Sequence, residues 1–227
     1  MTNKELLKQI IENNKAHQAV IKLYKNNFEE SLILELISLG QLGEKNNKKT
    51  LTQKQSNTMY DKTISEFLVD SIKKYEIIKN IEIYNFKKYE NDFLVILLPY
   101  NFSLEFMEKS QIFEDSDYLE NDNKLKLSSP NTAGALYSVQ LGILEMLDKR
   151  QKQARILIIR YMHLSSGIGS IKLREISREI IKNKNKELDN LNNLKKYIKN
   201  DFPLHFESYK KSKIIEEITK KKIDDYF

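Results

Sequence analysis

The stretch NIEIYNFKKYENDFLVILLP, residues 80–99, contains the one clear strand pair in this sequence. In residues 80–86 apolar and polar side chains alternate, which is typical of a half-buried strand. Residues 91–99 form an apolar run of strand length that closes at Pro99. The four residues KKYE separate the two segments. The sequence therefore predicts an antiparallel β-hairpin here.

The region before the hairpin is predicted to be helical. Apolar residues recur at helical spacing in three segments, residues 3–25, 28–39 and 59–75. The pair Asn26-Asn27 interrupts the pattern between the first two segments. Gly40 is placed to end the second helix, since glycine is the usual residue just past a helix C-terminus. The polar, aperiodic residues 40–57 are predicted to be a loop or linker.

The region after the hairpin is also predicted to be mostly helical. Ser129-Pro130 marks a helix start, and the helical pattern then runs to about Leu164 with a break at 148–153. The predicted elements are a short helix at 103–109, an acidic surface loop at 114–124, a core helix at 154–162, helices at 171–182 and 187–200, and a short hairpin or extended arm at 203–216.

The fold class predicted from these elements is α+β, predominantly α-helical. Residues 1–127 form a helical region with the β-hairpin, and residues 128–227 form a basic helical domain. The charge supports this division, since residues 1–127 have a net charge of −2 and residues 128–227 have +8. A basic half in a chain of this size is an electrostatic match for nucleic acid.

Composition excludes several classes of function. The chain has no cysteine, so disulfides, thiolate metal sites and cysteine catalysis are excluded. It has no run of about 18 apolar residues, which a membrane-spanning helix would need. Glu5 and Lys8 stand where a signal peptide would be apolar. We therefore expect a cytoplasmic protein without a membrane partner, a metal site or a cofactor.

Arginine is concentrated in one part of the chain. All five arginines lie in a short central stretch, at Arg150, Arg155, Arg160, Arg174 and Arg178. A guanidinium binds phosphate and carboxylate bidentately, which an ammonium cannot do. Two interpretations therefore stand side by side. The arginines bind phosphates of a ligand, or they pair inside the protein with Glu145, Glu175 or Glu179.

The segment SSGIGSIKLREI, residues 165–176, resembles the core of a helix-hairpin-helix motif. Gly167, Ile168 and Gly169 stand between two predicted helices, and Leu173 and Ile176 follow at the motif's spacing. In such a motif the glycines permit a tight turn, and the next helix presents unpaired N–H groups to a phosphate. The resemblance implies backbone contacts to nucleic acid that ignore base sequence, with Ser170 and Lys172 beside the glycines.

A second interpretation is a winged helix over residues 154–216. The helix LREISREIIK has an apolar face, with a basic stripe beside it formed by Arg174, Arg178 and Lys182. Such a stripe suits a helix that lies on a duplex backbone. The following helix would be the recognition helix, with donors at Asn190, Asn192, Asn193, Lys195, Lys196 and Lys199. The third interpretation is an ordinary helical bundle in which GIG is a cap and a turn.

The function predicted from these patterns is non-catalytic binding of nucleic acid, with double-stranded DNA as the expected ligand. The alternative is a helical assembly or partner-binding protein, in which helices at 3–39 and 131–147 pair between subunits. A metal-dependent nuclease is a third hypothesis, because carboxylates follow the predicted strand. Its candidate residues, Asp92, Glu105, Glu108 and Lys109, do not form the Glu-x-Lys triplet of the common restriction-nuclease fold.

Overall fold

The computed structural model describes residues 2–42, 50–110, 114–119, 125–126, 133–163, 168–182 and 184–224. The contacts of the chain divide it into two compact units, Met1–Asp70 and Ser71–Phe227. The first unit is helical within the described residues, and the second contains the sheet.

Four helices begin in the first unit. They are α1 (Asn3–Glu12), α2 (Ala16–Lys25), α3 (Glu30–Ser38) and α4 (Gln53–Ile72). The helix predicted over residues 3–25 is two helices, because α1 ends at Asn13. Asn27 and Gly40 have φ of 56° and 61°, and each ends a helix in a Schellman motif. The predicted C-terminal role of Gly40 is thus confirmed.

Helix α4 begins earlier than the sequence analysis predicted. The backbone N–H of Gln55 donates to Thr52 Oγ1 at 3.3 Å, and the N–H of Thr52 donates to Gln55 Oε1 at 2.9 Å. This reciprocal capping box starts the helix at Gln53 instead of residue 59.

The second unit is built on a sheet of seven strands in the described residues, which are β2 (Ile81–Lys88), β3 (Asn91–Leu98), β4 (Ser103–Lys109), β5 (Glu114–Leu119), β6 (Leu125–Lys126), β8 (Arg155–Met162) and β9 (Lys186–Leu188). Their order in the sheet is β6-β5-β4-β8-β3-β2-β9. Strands β4 and β8 are parallel, and the other neighbouring pairs are antiparallel. Two short strands, β1 (Glu76–Ile77) and β7 (Lys152–Gln153), pair separately.

The predicted hairpin is present as β2 and β3, with a tighter turn than expected. Lys88 pairs with Asn91, so the turn contains two residues, Tyr89 and Glu90, instead of the four in KKYE. Both have positive φ, 52° and 56°. This is the pattern of a type I′ turn, whose twist matches that of the flanking strands.

Two segments predicted as helices are strands. Residues 103–109 form β4, and residues 155–162 form β8 in the centre of the sheet. Strand β8 is covered on both faces, so its apolar run shows no alternation, and such a run cannot be distinguished from a buried helix by periodicity. The acidic segment predicted as a loop contains β5 at Glu114–Leu119. The predicted helix start at Ser129-Pro130 lies outside the described residues.

Five helices complete the second unit in the described residues. They are α5 (Ala133–Arg150), α6 (Ser170–Ile180), α7 (Leu191–Asp201), α8 (Pro203–Lys211) and α9 (Lys213–Asp224). The predicted helices at 171–182 and about 187–200 are present as α6 and α7, but α7 begins later than predicted, because Lys186–Leu188 form strand β9. The winged helix is wrong, because residues 154–162 contribute a strand and residues 203–216 are helical.

The helices cover both faces of the sheet. Helices α5 and α6 lie on the face that carries Glu82 and Lys88, as Arg150 of α5 and Glu179 of α6 contact these residues. Helices α7, α8 and α9 cover the opposite face. The core there consists of Ile81, Ile83, Leu94, Ile96, Leu98, Met107, Leu157, Ile159, Leu194, Ile198, Tyr209, Ile214 and Ile218. The protein is thus mixed helix and sheet, as predicted, with far more sheet than one hairpin.

The helices at 3–39 and 131–147 are predicted to pair between subunits as long amphipathic helices. Residues 3–39 form three helices instead of the two predicted segments, 3–25 and 28–39. Helix α5 buries Leu136, Val139, Leu144 and Leu147 inside the second unit. Pairing of subunits through these helices stays a prediction.

Two further observations concern the whole chain. None of the helices in the described residues has the length and apolar character that crossing a membrane requires. Strands from both sides of residue 127 contribute to the sheet. A domain boundary at that residue stays a prediction.

Candidate nucleic-acid interface

The N-terminus of α6 follows the predicted Gly-Ile-Gly turn. Gly169 is the N-cap residue with φ −66° and ψ 158°, and no side chain caps the helix. A Cβ built on Gly169 would meet no atom within 4 Å, so the surroundings of this residue are open. Ile168 and Ser170 are half-buried, whereas Gly167 lies outside the described residues. The helix-hairpin-helix interpretation is wrong, because the element before this turn is strand β8 and not a helix. The open surroundings of Gly169 still leave room for a ligand beside the N-terminus of α6.

The basic stripe predicted on α6 is turned largely inward. Arg174 is only 1% exposed. Helix α6 packs closely on α5. A Cβ on Gly142 of α5 would lie 2.6 Å from Ser177 Oγ and 2.7 Å from the backbone nitrogen of Arg178. Arg174 shares a helix face with Ser177, so this contact buries it. In this conformation its guanidinium cannot reach a phosphate in solvent.

Arg178 is held by a carboxylate. Its Nε lies 2.8 Å from Glu145 Oε2, and its Nη2 lies 2.7 Å from Glu145 Oε1. The pair is bidentate, the strongest geometry that guanidinium and carboxylate can adopt. Glu145 is one of the three partners that the internal-pairing interpretation named. The charge of Arg178 is therefore balanced within the fold.

The other three arginines also meet glutamates. Arg150 contacts both oxygens of Glu82 at 2.6 and 2.7 Å. Arg155 lies 3.2 Å from Glu217, and Arg160 lies 2.5 Å from Glu108. These arginines pair inside the protein, as the internal-pairing interpretation expected, but with glutamates other than the three it named.

Two cations of the predicted α6 site remain exposed. Lys172 points across to the hairpin, and its Nζ lies 5.1 Å from the centroid of the Tyr89 ring. Lys182, just beyond the end of α6, is exposed to solvent. Contact of either lysine with nucleic acid stays a prediction.

Helix α7 has a different distribution of charge. Its N-cap is Asn190, whose side-chain oxygen accepts a hydrogen bond from the Asn193 N–H at 2.9 Å. Leu194 and Ile198 are buried against the sheet. The 3.6-residue period then turns the polar residues outward. The exposed side chains include those of Asn192, Asn193, Lys195, Lys196 and Lys199; together with Lys186 of β9, we call these six residues the α7 face. Asn200 and Asp201 at the end of the helix are also exposed.

The lysines of the α7 face form no ion pair with any described residue. Lys186 Nζ lies 5.9 Å from the Tyr197 ring, which is its only aromatic contact in the described part of the chain. Several other surface lysines of the second unit have carboxylate partners, although Lys172 and Lys182 near α6 have none among the described residues. The pairs are Lys87–Asp92, Lys88–Glu179, Lys152–Glu76, Lys184–Glu187, Lys210–Glu207, Lys211–Glu114 and Lys220–Glu216. The α7 face is thus a cluster of four lysines whose charge the described fold leaves unbalanced.

The carboxylates of the nuclease hypothesis are kept apart. Glu108 faces the α5 side of the sheet and pairs with Arg160. Glu105 faces the other side and caps α9, accepting from Ser212 Oγ at 2.5 Å and from the N–H groups of Lys213 and Ile214 at 3.1 Å. Burial raises the pKa of Glu105, and these three hydrogen bonds oppose the shift. No three acidic or histidine side chains in the described residues gather as metal ligands.

Asp92 and His205 form a buried contact on the α8 side of the sheet. His205 Nε2 lies 3.1 Å from the Asp92 carbonyl oxygen and 3.7 Å from its Oδ1. Lys87 binds the other carboxylate oxygen at 2.8 Å. Burial lowers the pKa of His205, and the hydrogen bond to Asp92 opposes this shift. The contact joins α8 to β3 in the core.

The fold and this face define a class, a mixed helix-and-sheet protein with a group of unpaired lysines on the α7 face. Residues 2–112 match the family model described as "Archaeal Nre, N-terminal", and residues 120–226 match "Archaeal Nre, C-terminal". Together the two models span almost the whole chain. The chain belongs to the archaeal Nre family.

Three curated relatives agree with this assignment. "DNA repair protein NreA" of Archaeoglobus fulgidus is 28% identical over 75% of this chain and 46% of its own length. "DNA repair protein NreA" of Haloferax volcanii is 29% identical over 70% of this chain and 41% of its own. "DNA repair protein NreB" of Archaeoglobus fulgidus is 27% identical over 81% and 49%. The chain spans less than half the length of these relatives, and no solved structure matches it.

Sequence reasoning placed Asn193 and Lys196 on an exposed helix face, where the structure has them. It missed Lys186, which comes to the α7 face through the pairing of β9 with β2. The exposure of the Tyr89 ring in the turn of the hairpin was also not predicted. Its signal was the tetrapeptide KKYE itself, in which a bulky apolar ring occupies a loop.

Proposed function

We propose that this protein is a non-catalytic DNA-binding component of DNA repair. Membership in the archaeal Nre family supports the process, because the curated relatives that it matches are named DNA repair proteins. The match covers less than half of each relative, so the proposal concerns the part of their activity that this chain carries. Double-stranded DNA is the proposed ligand.

The observation that carries the proposal is the unbalanced charge of the α7 face. A lysine that already pairs with a carboxylate gains little from a phosphate, because it must give up one partner for the other. Lys186, Lys195, Lys196 and Lys199 have no such partner in the described fold. Each can neutralise a phosphate and release a condensed counterion from the duplex, which is the main source of sequence-independent affinity.

The asparagines of the same face supply a second kind of contact. Asn192 and Asn193 stand in the first turn of α7 and are exposed. An asparagine can hydrogen-bond to phosphate oxygens or pair bidentately with an adenine edge in the major groove. We also propose a second contact region at the residues predicted around α6, which lies on the opposite face of the sheet from α7. Its residues are Gly167, Ile168, Gly169, Ser170, Lys172 and Lys182. Arg174 and Arg178 are not included, because one is buried and the other is paired.

A salt-series titration of a labelled duplex tests the proposal. We expect the logarithm of the binding constant to fall linearly with the logarithm of salt concentration. The variant K195Q/K196Q/K199Q should lose about three units of that slope, since each lysine–phosphate contact contributes about one. Its affinity at low salt should fall by more than tenfold, in line with about 1 kcal/mol or more per lost phosphate contact.

The matched control is K152Q/K210Q/K220Q. It removes the same number of charges from lysines that are paired with glutamates. We expect its salt slope to stay close to that of the unmodified protein. Equal losses in the two variants would mean that only net charge matters and would reject the α7 face as the site. Cleavage of the duplex after addition of Mg²⁺ would contradict the non-catalytic part of the proposal.

A further inference from the structure

The turn between β2 and β3 presents an aromatic ring to solvent. Tyr89 is 48% exposed, which is unusual for so large an apolar surface. Its backbone and that of Glu90 adopt left-handed φ values of 52° and 56°. A type I′ turn favours asparagine and glycine at these positions, because other residues are strained there. The fold thus holds a bulky ring at a position where a small residue would be more stable.

Two lysines flank this ring from different elements. Lys88 Nζ of β2 lies 5.3 Å from the Tyr89 centroid, and Lys172 Nζ of α6 lies 5.1 Å from it. Lys88 also pairs with Glu179 at 3.0 Å, whereas Lys172 has no carboxylate partner among the described residues. The tip therefore combines an exposed aromatic ring with one ammonium that is free to move to another partner.

Buried residues hold the tip in place. Asn91 Nδ2 donates to the Tyr89 carbonyl oxygen at 2.5 Å, and the N–H of His163 donates to the Glu90 carbonyl oxygen at 2.9 Å. Asn91 Oδ1 accepts from Arg160 Nε at 2.7 Å, and Arg160 is fixed by Glu108. Asn91, Arg160 and Glu108 are all buried. The strained turn is thus tied to a rigid network in the sheet, so the ring has a defined position.

We propose that Tyr89 is a stacking platform for an unpaired DNA base, with Lys172 binding the neighbouring phosphate. An aromatic ring accepts any base, since each has a π-face, and nearby cations follow the backbone. Base stacking contributes more than an exposed cation–π contact, so a base can displace an ammonium from the ring face. The displaced Lys172 then meets the phosphate. This proposal rests on the proposed DNA-binding function and adds a preference for unpaired bases.

Three variants of one residue separate the ring from the turn. Tyr89→Phe keeps the ring, Tyr89→Ala removes it, and Tyr89→Asn removes it while favouring the left-handed backbone. The probes are an oligothymidylate single strand, a duplex of equal length, and a duplex whose single-stranded end carries 2-aminopurine. We expect Tyr89→Ala and Tyr89→Asn to weaken single-strand binding about five- to hundredfold, the range for loss of one stacked base.

The remaining readouts distinguish stacking from a structural role. Tyr89→Phe should bind the single strand like the unmodified protein and change the 2-aminopurine fluorescence in the same way. Tyr89→Asn should resist denaturant at least as well as the unmodified protein while losing single-strand affinity. Lys172→Gln should lower the salt slope on the single strand by about 0.7 unit. Unchanged single-strand affinity in Tyr89→Ala would overturn the proposal.

The duplex probe keeps this proposal separable from the first. The Tyr89 variants should bind the duplex normally, whereas K195Q/K196Q/K199Q should weaken duplex binding. If the lysine variant has no effect on the duplex, the proposed function fails at the α7 face, and the Tyr89 variants still report on stacking. If an oligouridylate RNA strand binds tighter than oligothymidylate, the assignment to DNA is overturned.

Discussion

Helices α6 and α7 have similar sequence patterns, but their cations lie in different surroundings. Both have 11 residues, both are amphipathic, and both carry several cations. In α6 one arginine is buried and the other is paired with Glu145. In α7 the lysines lie in solvent and form no ion pair with described residues. The residues on the neighbouring elements, and not the helix itself, decide whether a cation is available to a ligand.

The difference can be traced to what each helix packs against. Helix α6 lies on another helix, α5, so closely that Gly142 leaves no room for a side chain. This contact buries a broad face of α6 that includes Arg174 and Ser177. Helix α7 lies on the sheet and buries only a narrow stripe that contains Leu194 and Ile198. A narrow contact leaves the rest of the helix to solvent, and therefore to a partner.

Arg174→Glu is the variant with the largest expected effect on stability. A carboxylate in this buried position would lose its hydration without a matched partner, so we expect unfolding to become easier by about 3–5 kcal/mol. Denaturant titration measures the change. The control is Lys172→Glu on the same helix, where exposure limits the cost to about 0.5 kcal/mol. Equal free energies of unfolding in the two variants would show that Arg174 is accessible to solvent. Arg174 would then be available to a ligand.

His205 provides a buried ionisable group that should stay neutral. Burial lowers its pKa in the folded protein, so the unfolded chain binds the proton more readily. Stability from this group is therefore present above the unfolded pKa of about 6.5 and is lost as the pH falls below it. The slope of this loss is at most about 1.4 kcal/mol per pH unit, and it applies between the unfolded pKa and the lower folded pKa.

The measurement for His205 compares two proteins over a pH series. The free energy of unfolding of the His205→Gln variant should fall less steeply below about pH 6.5 than that of the unmodified protein. The other two histidines are present in both proteins, so the difference isolates His205. A steeper fall in the variant would reverse the sign and mean that His205 is stabilised as a cation.

The pair Arg178–Glu145 should give a smaller effect. It is bidentate but only partly buried, with side-chain exposures of 34% and 22%. A double-mutant cycle with Arg178→Ala and Glu145→Ala should give a coupling energy of about 0.5–1 kcal/mol. High salt should reduce it only slightly, because partly buried pairs are weakly screened. A coupling energy near zero would mean that Glu145 does not hold Arg178. Arg178 would then be as available to a ligand as the lysines of α7.

The smallest expected effect concerns the α7 lysines. Because they form no ion pair in the described fold, K195Q/K196Q/K199Q should change the free energy of unfolding by less than about 0.5 kcal/mol per residue. Relief of repulsion among the lysines would make the change stabilising. Denaturant titration at low salt is the most sensitive measurement. A clear destabilisation would mean that these lysines serve the fold and not a ligand.

Local signals accounted for most of what the sequence could predict about the fold. Gly40, the apolar run at 93–98 and the amphipathic patterns of α6 and α7 each act within a few residues, so they could be read without tertiary information. Strand β8 could not, because its identity as a strand depends on β3 and β4 on either side. A buried run of Ile and Leu suits a helix and a central strand equally well.

For the candidate site too, local features could be predicted from the sequence and features that depend on distant segments could not. The exposure of Asn193 and Lys196 followed from the helical period, which needs no partner. The burial of Arg174 did not, because the close packing of α6 on α5 at Gly142 is a property of two distant segments. Lys186 joins the α7 face through strand pairing, which the sequence pattern did not indicate.

The position of β8 also has a consequence for synthesis of the chain. Strands β2, β3 and β4 leave the ribosome before β8, yet β8 lies between β3 and β4 and pairs with both. Until it arrives, β3 offers an open edge of consecutive apolar residues from Phe93 to Leu98. Such an edge invites pairing with other chains. A nascent chain that stops before Arg155 should therefore aggregate or occupy a chaperone, and cannot persist as a smaller folded protein.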